Sequence, residues 1–149
     1  MKEPTTKIII FNDSSYQYIP RQRIITTLEQ LLFNEKVEKA TINVIIMDNE
    51  SIQKINNQYL GHDYPTDVLA FKMEEGIFEA EIYVSIEMAK LFAEENRPNK
   101  SNKSSKLKWR EELVRYVIHG VLHILGYNDD TEENKIKMTK KENKYLELP

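Results

Sequence analysis

The sequence predicts an α/β (α+β) fold, a four-stranded mixed sheet with helices packed on it, in the order β-α-β-α-β-β-α-α-α. Short β-branched runs alternate with segments whose apolar residues recur every three or four positions. Two neighbouring β-type runs, 67–73 and 79–84, flank a tight turn and should pair back antiparallel. Stacking helices on the faces of one mixed sheet accommodates that order, although the order of the strands within the sheet does not follow from it.

Taken along the chain, Lys7 to Phe11 is a β-type run stopped by the turn cluster Asn12-Asp13-Ser14-Ser15. Pro20 stands where a helix begins, and Ile24, Ile25, Leu28, Leu31 and Leu32 follow at helical spacing. Ala40 to Met47 is β-branched and reads as a well-buried strand. Asp48 suits the N-cap of a second helix with Ile52, Ile55 and Tyr59 on one face. Gly61 to Pro65 is a loop, Asp67 to Met73 a strand, Glu74-Glu75-Gly76 a turn and Glu79 to Val84 the returning strand. Ser85 can cap a helix reaching about Asn96. Arg97 to Ser104 is a polar loop, Ser105 to Leu125 a long helix, and Thr131 to Leu146 a final charged helix.

The 149 residues fit one domain, 1–149, and a hydrophobic fraction of 40% with eight Tyr and five Phe supplies a core. With no Cys, disulfides, thiol nucleophiles, iron–sulfur clusters and Cys-type zinc sites are excluded, so any metal must be held by His and carboxylates. The longest aliphatic runs are far short of the roughly 18 residues of a membrane span. No apolar core follows Met1-Lys2-Glu3-Pro4, so a soluble cytoplasmic protein with no membrane partner is expected. A net charge of −3 argues against a protein that coats nucleic acid, without excluding local basic patches.

Two of the three histidines lie in His119-Gly-Val-Leu-His123-Ile-Leu-Gly126-Tyr-Asn-Asp129. Four residues apart on a helix, both imidazoles share one face and can reach one small cation. Gly126 falls where a helix C-terminus wants positive φ, which would turn the chain so that Asp129 or Asp130 brings a third ligand. Two His and a carboxylate, with one position open to water, make a competent catalytic metal site. The surrounding residues are almost wholly apolar, so the two His are either ligands or costly buried polar groups. Glu112 and Tyr116, on the same helical face, are candidate partners for His119. Gly120 stands where zinc peptidases of the His-Glu-x-x-His type carry their general base, which counts against peptide hydrolysis.

The His-Gly-x-Leu-His-x-x-Gly-Tyr segment resembles the signature of the YbeY family, metal-dependent endoribonucleases of rRNA maturation. Asn56-Asn-Gln-Tyr59-Leu-Gly-His62-Asp63-Tyr-Pro65-Thr66-Asp67-Val68-Leu69-Ala-Phe71 resembles the family's second motif. The resemblance implies one Zn2+ per chain, with His119 and His123 as ligands and Asp129 at the position of the family's third His. Asn128 replaces an acid, Leu60 replaces the family's Arg, and Ala80-Glu81-Ile82 stands for its Gly-Asp-Ile. An Asp in place of a neutral His lowers the charge of the metal cluster by one. That makes bound water less acidic and suits another, harder divalent metal. Losing the Arg removes a bidentate phosphate clamp, for which His62 is the only nearby substitute. Thr66 and Asp67 read as turn and strand-start residues.

Arg97, Lys100, Lys103, Lys106, Lys108 and Arg110 form a basic stretch without an acid that leads into the His-bearing helix. It is the candidate RNA-binding flank, with Trp109 as a packing residue. The closing helix, with Lys135, Lys137, Lys140, Lys141 and Lys144 against Glu132, Glu133, Glu142 and Glu147, reads as an exposed face. The expected function is that of an endoribonuclease on single-stranded RNA, with rRNA precursor and ribosome as partners. The alternatives are a zinc-dependent peptidase-like hydrolase and a ribosome-associated RNA-binding protein whose metal is structural.

Overall fold

A computed structural model describes residues 6–74, 77–96 and 108–148 of the chain. Its elements are β1 (Thr6–Asn12), α1 (Arg21–Asn34), β2 (Ala40–Met47), α2 (Asn49–Leu60), β3 (Val68–Glu74), β4 (Ile77–Ser85), α3 (Ile86–Glu95), α4 (Lys108–Ile124) and α5 (Glu132–Glu147). This is the expected order, an α+β fold with one four-stranded mixed sheet. The expected turn at Glu75-Gly76, the polar loop after Asn96 and the start of the long helix at 105–107 lie outside the described residues.

The strands run in the spatial order β1-β2-β4-β3. β1, β2 and β4 are parallel, and β3 returns antiparallel along β4. The burial of the strands explains the order. Ala80, Ile82 and Val84 of β4 are fully buried, as suits an interior strand, whereas β1 exposes Ile9 and Phe11 and β3 exposes Met73 at the edges. In register, Ile10, Val44, Ile82 and Ala70 form one row across the sheet. That row belongs to the face on which residues of α1, α3, α4 and α5 gather in the main core. A smaller cluster of Ile45, Met47, Ile52 and Leu69 lies beneath α2.

Local chemistry sets several helix ends. Ser85 Oγ accepts from the Met88 amide at 3.1 Å, and Thr131 caps α5 by accepting from Asn134 at 3.0 Å. Asp48 occupies the N-cap position of α2, but its carboxylate accepts the amide of Ser15 at 3.1 Å instead. The loop between β1 and α1 captures the expected cap. Tyr59 is 63% exposed and leans on Phe71, with ring centroids 5.5 Å apart.

Gly120 governs how closely α4 approaches the sheet. A Cβ at this position would stand 2.9 Å from Ile82 Cγ2 and 3.1 Å from Val68 Cγ2. Only a residue without a side chain lets the helix lie this close. The closing helix departs in part from expectation. Most of its charges do line an exposed face, but Glu142 does not: it is buried on the opposite side with Met138, Tyr145 and Leu146, which join the main core. Lysines on the other faces mask this stripe in the sequence. No helix among the described residues is long and apolar enough to cross a membrane.

Candidate metal centre

The last two turns of α4 carry His119 and His123, and the turn that follows carries Asp129. Gly126 takes φ +105°, and the amides of Gly126 and Tyr127 bond back to His123 O and Leu122 O at 3.0 Å each. This glycine-dependent helix stop reverses the chain and returns Asp129 over the histidine face. Of the two acids open at this position, Asp129 is the one that converges on the imidazoles.

His119, His123 and Asp129 form a group able to hold a metal ion. The Nε2 atoms of the two histidines lie 3.0 Å apart, and Asp129 Oδ2 lies 3.4 Å from His119 Nε2 and 3.6 Å from His123 Nε2. A tetrahedral ion with bonds of about 2.0–2.1 Å spaces its ligand atoms about 3.3 Å apart. From these three separations, a point in the plane of the atoms lies roughly 1.9 Å from each, so an ion slightly above that plane fits. All three residues are partly exposed, which leaves a side of the site open.

His119 is held from behind. Its Nδ1 lies 2.6 Å from Glu142 Oε2. A proton donated from Nδ1 to this buried carboxylate leaves Nε2 as a lone pair aimed at the site. Arg115 binds the other Glu142 oxygen at 3.2 Å and places its Nε 3.3 Å from Glu112 Oε1. Burial pushes the His119 pKa down, but the Glu142 hydrogen bond and charge, with Asp129 and Asp67, outweigh it and hold the imidazole above its ordinary value. Glu112 is raised, chiefly by burial, against the opposing pull of Arg115. Tyr116 is raised by burial and by the charges of Glu112 and Asp67.

Glu142 therefore takes the place expected of Glu112 or Tyr116 beside His119. Glu112 reaches that imidazole only through Arg115 and Glu142. Glu142 lies 23 residues beyond His119, and the signal that could have found it is the stripe Met138, Glu142, Tyr145, with a carboxylate on an otherwise apolar helix face. Asp67 does more than start a strand. Its Oδ1 accepts from Val68 N at 2.8 Å and Thr66 Oγ1 at 3.3 Å, as a strand-start residue should. The same carboxylate is close enough to act electrostatically on His119, Glu112 and Tyr116.

His62 is exposed in the loop after α2, where its ring stacks on Tyr64 with centroids 5.4 Å apart and planes 9° apart. Among the basic residues, Arg97, Lys100, Lys103 and Lys106 lie outside the described residues. Lys108 is exposed, whereas Arg110 is half-buried against the Trp109 ring at 5.2 Å. Trp109 packs on the main core, as its packing role required, with Lys90 Nζ 5.1 Å from its ring.

Comparison with known proteins places this geometry. The family model described as Endoribonuclease YbeY matches residues 7–148. An endoribonuclease YbeY from Chloroherpeton thalassium is 35% identical over 139 residues, covering 93% of this chain and 92% of the relative. One from Thermotoga petrophila is 38% identical over 121 residues, covering 80% and 74%. The solution structure of TM1509 from Thermotoga maritima superposes with a TM-score of 0.62 at 30% identity, covering 94% of this chain and 87% of that one. With nearly the whole length matched, by a chain whose fold brings the two motif histidines and Asp129 to one point, this protein belongs to the endoribonuclease YbeY family.

Proposed function

We propose that this protein is a metal-dependent endoribonuclease that cleaves single-stranded RNA, acting on rRNA precursors at the ribosome in the cytoplasm, as a single domain. The observation that carries this reading is the convergence of His119 Nε2, His123 Nε2 and Asp129 Oδ2 on one point, with a buried carboxylate behind His119. A divalent ion held there, Zn2+ or a harder metal suited to the Asp, supplies Lewis acidity toward a phosphate oxygen or an attacking hydroxyl.

The chain's own residues orient that chemistry. Glu142 fixes the His119 tautomer, and Arg115 balances the charge of Glu142 and Glu112. Because the centre itself is ringed by Asp129, Asp67, Glu112 and Glu142, cations that attract an RNA backbone must come from elsewhere. The basic flank Arg97, Lys100, Lys103, Lys106, Lys108 and Arg110 supplies them, with Lys108 the freer of the two described members. His62 takes over part of the phosphate contact left vacant where the family carries Arg and this chain has Leu60.

Peptide hydrolysis of the His-Glu-x-x-His type is disfavoured by packing as well as by sequence, because a glutamate side chain at position 120 would run into Ile82 and Val68. The test uses tag-free protein with single-stranded and duplex RNA of the same sequence. His119→Ala and His123→Ala should stay folded and lose metal and cleavage together, and His62→Ala should raise KM. Folded variants that lose metal yet cleave at the wild-type rate would refute the metal mechanism. A 2′,3′-cyclic phosphate end would assign the nucleophile to the RNA 2′-hydroxyl.

A further inference from the structure

Glu35 stands far from the metal motif in sequence, at the C-cap of α1. The chain turns sharply there: Lys36 takes φ +63°, and the Val37 amide bonds back to Leu32 O at 2.9 Å. The Glu35 carboxylate has a side-chain exposure of 10% and accepts from three donors, Tyr127 Oη at 2.5 Å, Lys141 Nζ at 2.9 Å and Tyr145 Oη. Burial pushes its pKa up, but the three hydrogen bonds outweigh it and hold the carboxyl below the ordinary range. Lys141 also lies 5.1 Å from the Tyr127 ring.

Two of these donors belong to α5, where they dock that helix against α1. The third does not. Tyr127 lies in the turn between His123 and Asp129, two residues before the carboxylate ligand. The backbone bonds of Gly126 and Tyr127 tie the near end of this turn to α4, and the Thr131 cap begins α5 at its far end. Asp129 thus sits two residues from an anchor on either side, and the Tyr127 anchor is charge-assisted and nearly dry.

We infer that Glu35, through the Tyr127 hydroxyl, is a positioning residue that holds the ligand turn so that Asp129 meets the two imidazoles. This rests on the reading of His119, His123 and Asp129 as a metal site. The network spans three elements: the end of α1, the ligand turn and α5. Helix α5 also carries Glu142 against His119, so one helix braces two of the three ligands, one directly and one through Glu35.

A double-mutant cycle on metal affinity tests this. Zn2+ is titrated against a chromophoric competitor in the wild type, Tyr127→Phe, Asp129→Ala, the double variant and Tyr145→Phe. Tyr127→Phe should weaken Zn2+ binding about tenfold when Asp129 is present and less than about twofold when it is Ala. Tyr145→Phe removes a donor to the same carboxylate outside the turn. It should lower Tm and leave Zn2+ affinity within about twofold of wild type. Glu35→Gln, which keeps one acceptor oxygen, should show the Tyr127→Phe pattern at smaller size. An unchanged affinity in Tyr127→Phe, or an equal loss in both backgrounds, overturns the positioning role while leaving the metal site standing. A wild-type chain that binds no Zn2+ overturns the metal reading and this inference with it.

Discussion

Replacing Glu142 with Gln keeps the shape of the side chain and one acceptor oxygen but removes the charge that His119 Nδ1 meets at 2.6 Å. The carboxylate is only 9% exposed, so water cannot take its place. Partners of this kind typically contribute about 10–100-fold to metal affinity. That range corresponds to about 1.4–2.7 kcal/mol. The loss is readable without an activity assay. With Zn2+ at about 100 times the wild-type Kd, binding stabilises the folded wild type by about 2.7 kcal/mol. A tenfold weaker site contributes about 1.4 kcal/mol at the same concentration, and a hundredfold weaker site about 0.4 kcal/mol. The rise in Tm on adding Zn2+ should therefore fall to about half of the wild-type rise, or less. Differential scanning calorimetry of both proteins, with and without Zn2+, measures it. An equal rise in Tm in the wild type and Glu142→Gln would sink the claim that this carboxylate orients the ligand.

Other substitutions probe the frame around the centre. Gly120→Ala drives a methyl against the branched, buried Ile82 side chain at 2.9 Å. Overpacking of this kind costs about 1–3 kcal/mol against a gain of about 1 kcal/mol in helix propensity, a net loss of up to about 2 kcal/mol. Urea unfolding should show a net loss, and an equally stable Gly120→Ala would show that α4 does not need its close approach. The Glu35 carboxyl has a lowered pKa in the folded state, so its contribution to stability is present above the unfolded carboxylate range and lost as pH falls through the folded value. Urea midpoints between pH 7 and pH 3 should decline less in Glu35→Gln than in the wild type, and parallel curves would contradict the assignment. Asp129→His raises the charge of a loaded cluster by one. The acidic limb of the pH–rate profile should move to lower pH, with selectivity shifting from Mn2+ toward Zn2+. A profile and metal preference identical to wild type would remove Asp129 from the ligand set.

The local features of this protein were legible in its sequence because they depend on neighbours a few residues apart. Helical spacing put His119 and His123 on one face, Gly126 marked the reversal that brings Asp129 back, and β-branched runs set the strands to within a residue or two. The order β1-β2-β4-β3 was not legible, since the choice of β4 rather than β3 beside β2 is made by pairing between residues roughly forty positions apart, which no local pattern encodes. Nor were the residues that brace the site. Glu142 meets His119 across 23 residues and Tyr127 meets Glu35 across 92, and in sequence both acids look like ordinary surface charges among lysines. Spacing along one helix is enough to align two imidazoles. Taking a carboxylate out of water requires donors from other elements to close around it, and only the packing of α1, α4 and α5 supplies those.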